Sequence, residues 1–150
     1  MKSPLSVNHV HAEGFLTGVP NLTPLGQEYD DYALRLGLVT EGEKRLNWFT
    51  RLFAANWIKQ LNSLSPDRGL GKVIFLVLSQ KREIGDRTSI GSGDKMEEII
   101  AGNVSGTGPF QIDWDISEAP VVSALWVQPD GDNSKSSFTM TLNRISFSTP

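Results

Sequence analysis

The sequence predicts a mainly β protein, an antiparallel β-sandwich of jelly-roll-like or Ig-like type with one amphipathic helix. Three observations predict it. Phe110, Ile112, Trp114 and Ile116 alternate with Gln111, Asp113 and Asp115, the period of a half-buried strand. Val73-Ile74-Phe75-Leu76-Val77-Leu78 is apolar at every position, as a strand buried on both faces must be. Strand-like segments are separated by turn chemistry such as Gly106-Thr107-Gly108 and Pro129-Asp130-Gly131.

Residues 1–13 are polar and read as a flexible N-terminal tail, or else a first edge strand, and residues 14–150 as a single domain. Phe15 to Val19 is a short strand ended by Pro20. Residues 20–32 have a loop composition, with two prolines, Gly26, Glu28, Asp30 and Asp31. Ala33 to Val39 places Leu34, Leu36 and Leu38 on one strand face. Thr40-Glu41-Gly42-Glu43 has the form of a capping box, which predicts a helix start. The helix expected over residues 41–61 then carries Leu46, Phe49, Phe53, Trp57 and Leu61 on one stripe. A pair of strands is the alternative for this segment.

Lys72 to Gln80 is the central strand, and Lys81 to Lys95 a long polar loop. Glu97 to Ser105 and Val121 to Gln128 are further strands. Trp126 is expected to share a face with Val122 and Ala124. In the final strand Phe138, Met140 and Leu142 point one way. Ile145 and Phe147 keep that face only if one residue near Asn143-Arg144 is extra, which predicts a β-bulge.

A chain of 150 residues is long enough to bury a core without metal or disulfide. With 39% hydrophobic and 21% charged residues, it is not of the disordered class. The absence of cysteine excludes disulfides, thiolate metal sites and cysteine nucleophiles. A net charge of −3 offers no global basic face for nucleic acid. No apolar run approaches membrane-span length and no secretory leader is visible, so neither membrane insertion nor nucleic acid is expected.

The run from Phe110 to Phe147 reads as strand, link, strand ending in QPDGDN, then FTMTLNRISF. Its strand rhythm resembles the closing strands of jelly-roll carbohydrate-binding modules and of viral coat and spike sandwiches. The resemblance covers the last quarter of the chain and carries no functional residues with it.

Candidate chemistry is sparse. His9 and His11, the only histidines, form a His-x-His pair near Glu13 whose imidazoles are of a type that binds zinc. On a tail they read as solvated residues, and that position also weakens any Ser-His-Asp arrangement. Asp113 and Asp115 share one strand face, a pairing that glycoside hydrolysis can use, but they read as a solvated face. The turn Asp130-Gly131-Asp132-Asn133-Ser134 is rich in oxygen donors of the kind calcium takes, although its spacing is not that of an EF-hand. No cofactor is expected beyond that calcium alternative. The glycines of residues 102–108 lack the Gly-Lys-Ser/Thr ending of a phosphate loop. Lys44, Arg45, Arg51 and Lys59, set among aromatic residues, read as the long stems at the edge of an apolar helix face.

With no catalytic constellation, the expectation is a non-enzymatic recognition module on a β-sandwich. It meets a glycan or protein receptor through the loops 20–32, 80–95 and 129–137. Trp48, Tyr29, Tyr32, Asp130 and Asp132 are the expected ligand-binding residues. A surface-exposed domain of a viral or phage particle shares that job, with an extracellular or virion-surface location. The alternatives are a structural subunit that self-associates into a homo-oligomer, and a carboxylate-dependent enzyme acting on sugars.

Overall fold

The computed structural model describes residues 5–42, 69–90 and 95–150. Strands β1 (Leu5–Ser6), β2 (His9–Thr17), β3 (Leu34–Gly42), β4 (Gly69–Ser79), β5 (Arg87–Ile90), β6 (Met96–Asn103), β7 (Gly108–Asp115), β8 (Val121–Gln128) and β9 (Thr139–Ser148) form two sheets. One has six strands in the order β1-β8-β3-β4-β6-β5, and the other three in the order β7-β2-β9.

Period-two alternation decides what each strand buries. Leu34, Leu36 and Leu38 of β3, with Ile74, Leu76 and Leu78 of β4, meet Val10, Ala12 and Leu16 of β2 in one core between the sheets. The intervening residues of β4, Val73, Phe75 and Val77, join Val39, Ile100 and Tyr32 in a second cluster on the opposite face of the larger sheet. β4 is therefore apolar on both faces because it is covered on both. The aliphatic burial at these positions is the main favourable term holding the sheets together.

The all-antiparallel expectation is corrected at one pairing. β4 and β6 run parallel, so the larger sheet is mixed. A hairpin cannot join parallel neighbours. The chain between them is accordingly long, and it is not all loop as expected: Arg87–Ile90 pairs with β6 as an edge strand. Its sequence, Arg-Thr-Ser-Ile, lacks apolar alternation because three of its four side chains face solvent.

Residues 9–13, expected as tail, lie in the central strand of the smaller sheet, hydrogen-bonded on both sides. Val10 and Ala12 are fully buried there. Small core residues, Ala12 and Gly14, weaken the alternation that would mark the strand. The expected bulge in β9 is present. Glu13 pairs with Arg144 and Gly14 with Leu142, leaving Asn143 without a partner. Met140, Leu142, Ile145 and Phe147 all pack on the core as a result. At this crossing a Cβ on Gly14 would lie 2.1 Å from the Thr141 carbonyl oxygen, so only glycine allows the approach.

A register shift in β8 at Ser123 separates Val122 from Ala124. Val122 packs on the inter-sheet core, whereas Ala124 and Trp126 belong to the second cluster. The shared face expected for these three is thus divided by a bulge. The helix expected over residues 41–61 falls, from Glu43 onward, outside the described residues. Glu41 and Gly42 continue β3. Among the described residues there is no helix, and none long and apolar enough to cross a membrane.

Candidate functional site

Segments from all three loops expected to carry recognition meet around Tyr32. Glu28 fastens the first loop to the end of β4, accepting hydrogen bonds from Ser79 Oγ and the Gln80 amide, both at 2.5 Å. Gln80 Nε2 donates back to the Pro20 carbonyl. Asp31, fully buried, accepts the backbone amides of Asn133 and Ser134 at 3.2 and 2.6 Å. The Asp130 amide donates to the Tyr32 carbonyl. Arg82, just beyond β4, donates to Tyr32 Oη at 3.0 Å.

A buried polar network underlies this convergence. Tyr32 Oη donates to Glu98 Oε1 at 2.8 Å, and Arg82 Nη1 donates to the same oxygen at 2.8 Å. Arg35 lies with its guanidinium carbon 5.0 Å from the centre of the Tyr32 ring, a cation–π geometry. Arg35 also donates to Asp130 Oδ2 at 2.5 Å and to the Asp30 carbonyl at 2.6 Å. Strand geometry explains the grouping: Arg35 and Glu98 both point to the second-cluster face, where a charge is tolerable only if paired. Two cations and two anions meet that requirement.

The electrostatics follow from burial and partners. Burial, aided by the bond to Glu98, pushes the Tyr32 phenol up to about 12. Burial would raise Asp31 as well, but the hydrogen bonds from Ser134 and Asn133 outweigh it and hold the carboxyl below the ordinary aspartate range. Asp130 is shifted the other way. Burial raises it and Arg35 opposes, while the charges of Asp132 and Asp31 add to the rise.

Two hollows open beside the network, and both touch Asp30. One, of about 470 Å3, is lined by Gly26, Gln27, Glu28, Tyr29, Asp30 and Tyr32 together with Lys81 and Arg82. The other, of about 360 Å3, is lined by Asp30, Arg35, Phe75, Ile90, Met96, Trp126 and Gln128. Its aromatic wall has a specific origin. Gly37 of β3 is register partner to both Phe75 and Trp126. With no Cβ between them, the two rings pack edge to face with centroids 6.1 Å apart. The result is an apolar wall beside one guanidinium, one amide and a carboxylate-bearing loop, the mixture found in small-ligand sites.

Of the expected ligand-binding residues, Tyr29 lines the first hollow and Tyr32 is buried at the centre of the network. Asp130 is held in the ion pair with Arg35. Asp132 is exposed, with a carboxylate oxygen within 4.8 Å of those of Asp31 and Asp130. Trp48 lies outside the described residues. The three aspartates are of a type that calcium takes, but Asp31 already accepts two amides and Asp130 faces Arg35. Calcium takes six to eight oxygens, so an ion here would have to compete with those partners and draw further ligands from backbone or water.

Arg35, Arg82, Glu98, Phe75 and Gln128 join the site without having been singled out by sequence. Two of them do leave a trace: Arg35 interrupts the leucine alternation of β3, and Glu98 precedes the apolar pair Ile99-Ile100.

A second polar grouping lies on the outer face of the smaller sheet. The pairing of β2 with β7 sets His9 opposite Asp115 and His11 opposite Asp113. The histidines are therefore anchored strand residues. His9 contacts both Asp113 and Asp115, and His11 contacts Asp113 and Glu13. The hydrogen bond to Asp113 raises the His11 pKa, and the same bond lowers that of Asp113.

Comparison of the chain with known proteins finds no matching family model, no matching curated protein and no matching solved structure.

Proposed function

We propose that the chain is a non-enzymatic recognition module built on a β-sandwich, and that it binds a glycan at the loop end around Tyr32. The observation that carries this reading is the hollow between Arg35, Gln128 and the Phe75–Trp126 wall, framed by the 20–32 loop. An aromatic face stacks on the C–H face of a sugar ring, while guanidinium, amide and carbonyl groups take its hydroxyls. Part-buried hydrogen bonds hold the 20–32 segment to the end of β4 and to the 130–134 turn, which lowers the ordering entropy that opposes binding. A protein receptor met by the same loops, on a particle surface or elsewhere, is the alternative occupant.

The reading is tested with a glycan array on the purified protein, run with calcium and again with chelator. The expected result is binding to one sugar class, lost in Gln128→Ala and weakened in Trp126→Ala. Retained binding in both variants would place the contact elsewhere. Loss on chelation would assign the Asp31–Asp130–Asp132 cluster to calcium. No binding in either condition would overturn the glycan reading.

One observation favours self-association as a second reading. Leu5, Leu125 and Val127 are each about two-fifths exposed on the β1–β8 side of the larger sheet. An apolar strip beside a short edge strand suits a second copy. Sedimentation equilibrium of wild type against Leu125→Lys/Val127→Lys separates the two readings, since only an assembly would dissociate.

A further inference from the structure

We propose that His9, His11 and Asp113 form a binding site for a divalent transition-metal ion of the zinc type, on the outer face of the smaller sheet and away from the loop end. Residues two apart on a strand point the same way, so both imidazoles of the His-x-His pair share one face. Asp113 stands between them on the neighbouring strand. His9 Nε2 lies 3.0 Å from its Oδ1, and His11 Nδ1 lies 3.0 Å from its Oδ2. The nitrogen and oxygen ligands of one tetrahedral zinc ion are roughly 3.3 Å apart, given bonds of about 2.0–2.1 Å. These two separations are close to that value, but ligand atoms from all three residues are not gathered within 4.8 Å of one another. The imidazoles approach different oxygens of the carboxylate, and closing on a single ion requires a side-chain rotation towards each other. Side chains 30% and 22% exposed leave them free to make it.

The far nitrogens supply a second, independent argument. A metal-binding histidine characteristically offers its other ring nitrogen to a carboxylate, which orients the ring and increases its basicity. Here His9 Nδ1 lies 2.7 Å from Asp115 Oδ1, and His11 Nε2 lies 3.4 Å from Glu13 Oε2. Each imidazole therefore has one nitrogen on Asp113 and the other on a separate carboxylate. Opposite them on β9 stand Ser148 and Ser146, which are small and uncharged. Arg144, opposite Glu13, is the one cationic side chain on these three strands. Two imidazoles and one carboxylate leave a coordination position open to solvent. A hollow of about 440 Å3 lined by Glu13, Gln111 and Asn143 adjoins it.

The test is unusually clean because the chain has two histidines and no cysteine, so any imidazole ligation belongs to this pair. Zinc chloride is titrated into the full chain by calorimetry, and cobalt(II) is followed by its visible absorption. The expected result is one ion per chain, with affinity falling at least about tenfold in His9→Gln and in His11→Gln. Asp115→Asn should weaken binding about tenfold through the His9 ring. Asp132→Asn should leave it unchanged. Far-UV circular dichroism establishes that each variant is folded. The proposal is overturned if wild type takes up no zinc at millimolar concentration. Equally, it fails if the His9→Gln/His11→Gln double variant retains wild-type affinity.

Discussion

Arg35 Nη1 and Asp130 Oδ2 lie 2.5 Å apart and join β3 to the turn that follows β8. Both side chains are largely buried, so the pair and its neighbours determine whether the loop end holds together. Removing one partner leaves an uncompensated charge. Arg35→Ala is therefore expected to destabilise the fold by about 3–5 kcal/mol, measured by urea unfolding. Arg35→Met/Asp130→Leu should cost less than the sum of the single changes, because it removes both charges together. Strict additivity in that cycle would show that the two do not interact.

Asp31 gives the protein an acid limb of calculable sign. Its folded pKa is held below the ordinary value, so its stabilising contribution is present at neutral pH and is lost as pH falls through that lowered pKa. Asp31→Asn should cost about 1–3 kcal/mol at pH 7, with one of the Asn133 and Ser134 amides left unsatisfied. The difference from wild type should shrink below about pH 4. Asp130 acts in the opposite sense, since its raised pKa makes protonation favourable to the folded state. Asp130→Asn should therefore remove a gain and not a loss as pH falls, which chemical denaturation across pH 2–6 would resolve.

Tyr32 governs the alkaline limb. Its folded pKa of about 12 exceeds the ordinary value of about 10. The stabilisation is complete below pH 10 and disappears as pH rises through 12. Absorbance titration of the two tyrosines should show one phenol ionising late, and Tyr32→Phe should abolish that phase. A late phase that survives in Tyr32→Phe would contradict the burial assigned here.

The bulge in β9 is tested by deletion. Removing Asn143 shifts residues 144–148 by one position and turns Ile145 and Phe147 out of the core. That variant should fail to fold cooperatively. Asn143→Ala, an exposed substitution that keeps the extra residue, should lie within about 0.5 kcal/mol of wild type. At the partner position, Gly14→Ala drives a methyl into the Thr141 carbonyl and the Phe110 ring. It should cost about 1–3 kcal/mol or more, read as a lowered Tm.

Local pattern by itself determined where most strands lie and which residues face inward. Leu34, Leu36 and Leu38 share the core side, β4 is covered on both faces, and one residue near Asn143-Arg144 is extra, because period-two alternation is a property of neighbouring residues; register alone identifies it as Asn143. The strand through His9 and His11 was masked by the small size of Ala12 and Gly14, and β5 by its polarity. No local pattern could pair β4 with β6 in parallel, since strand order depends on partners distant in the chain. The sites depend on tertiary structure still more. Tyr32 and Asp130 are legible as loop candidates, but Arg35, Glu98 and Arg82 reach them only through sheet register and loop closure. The His9/His11 pair and the Asp113/Asp115 pair are each legible in sequence, but they lie about a hundred residues apart and nothing local brings them together. Antiparallel pairing of β2 with β7 places them within hydrogen-bonding distance of one another.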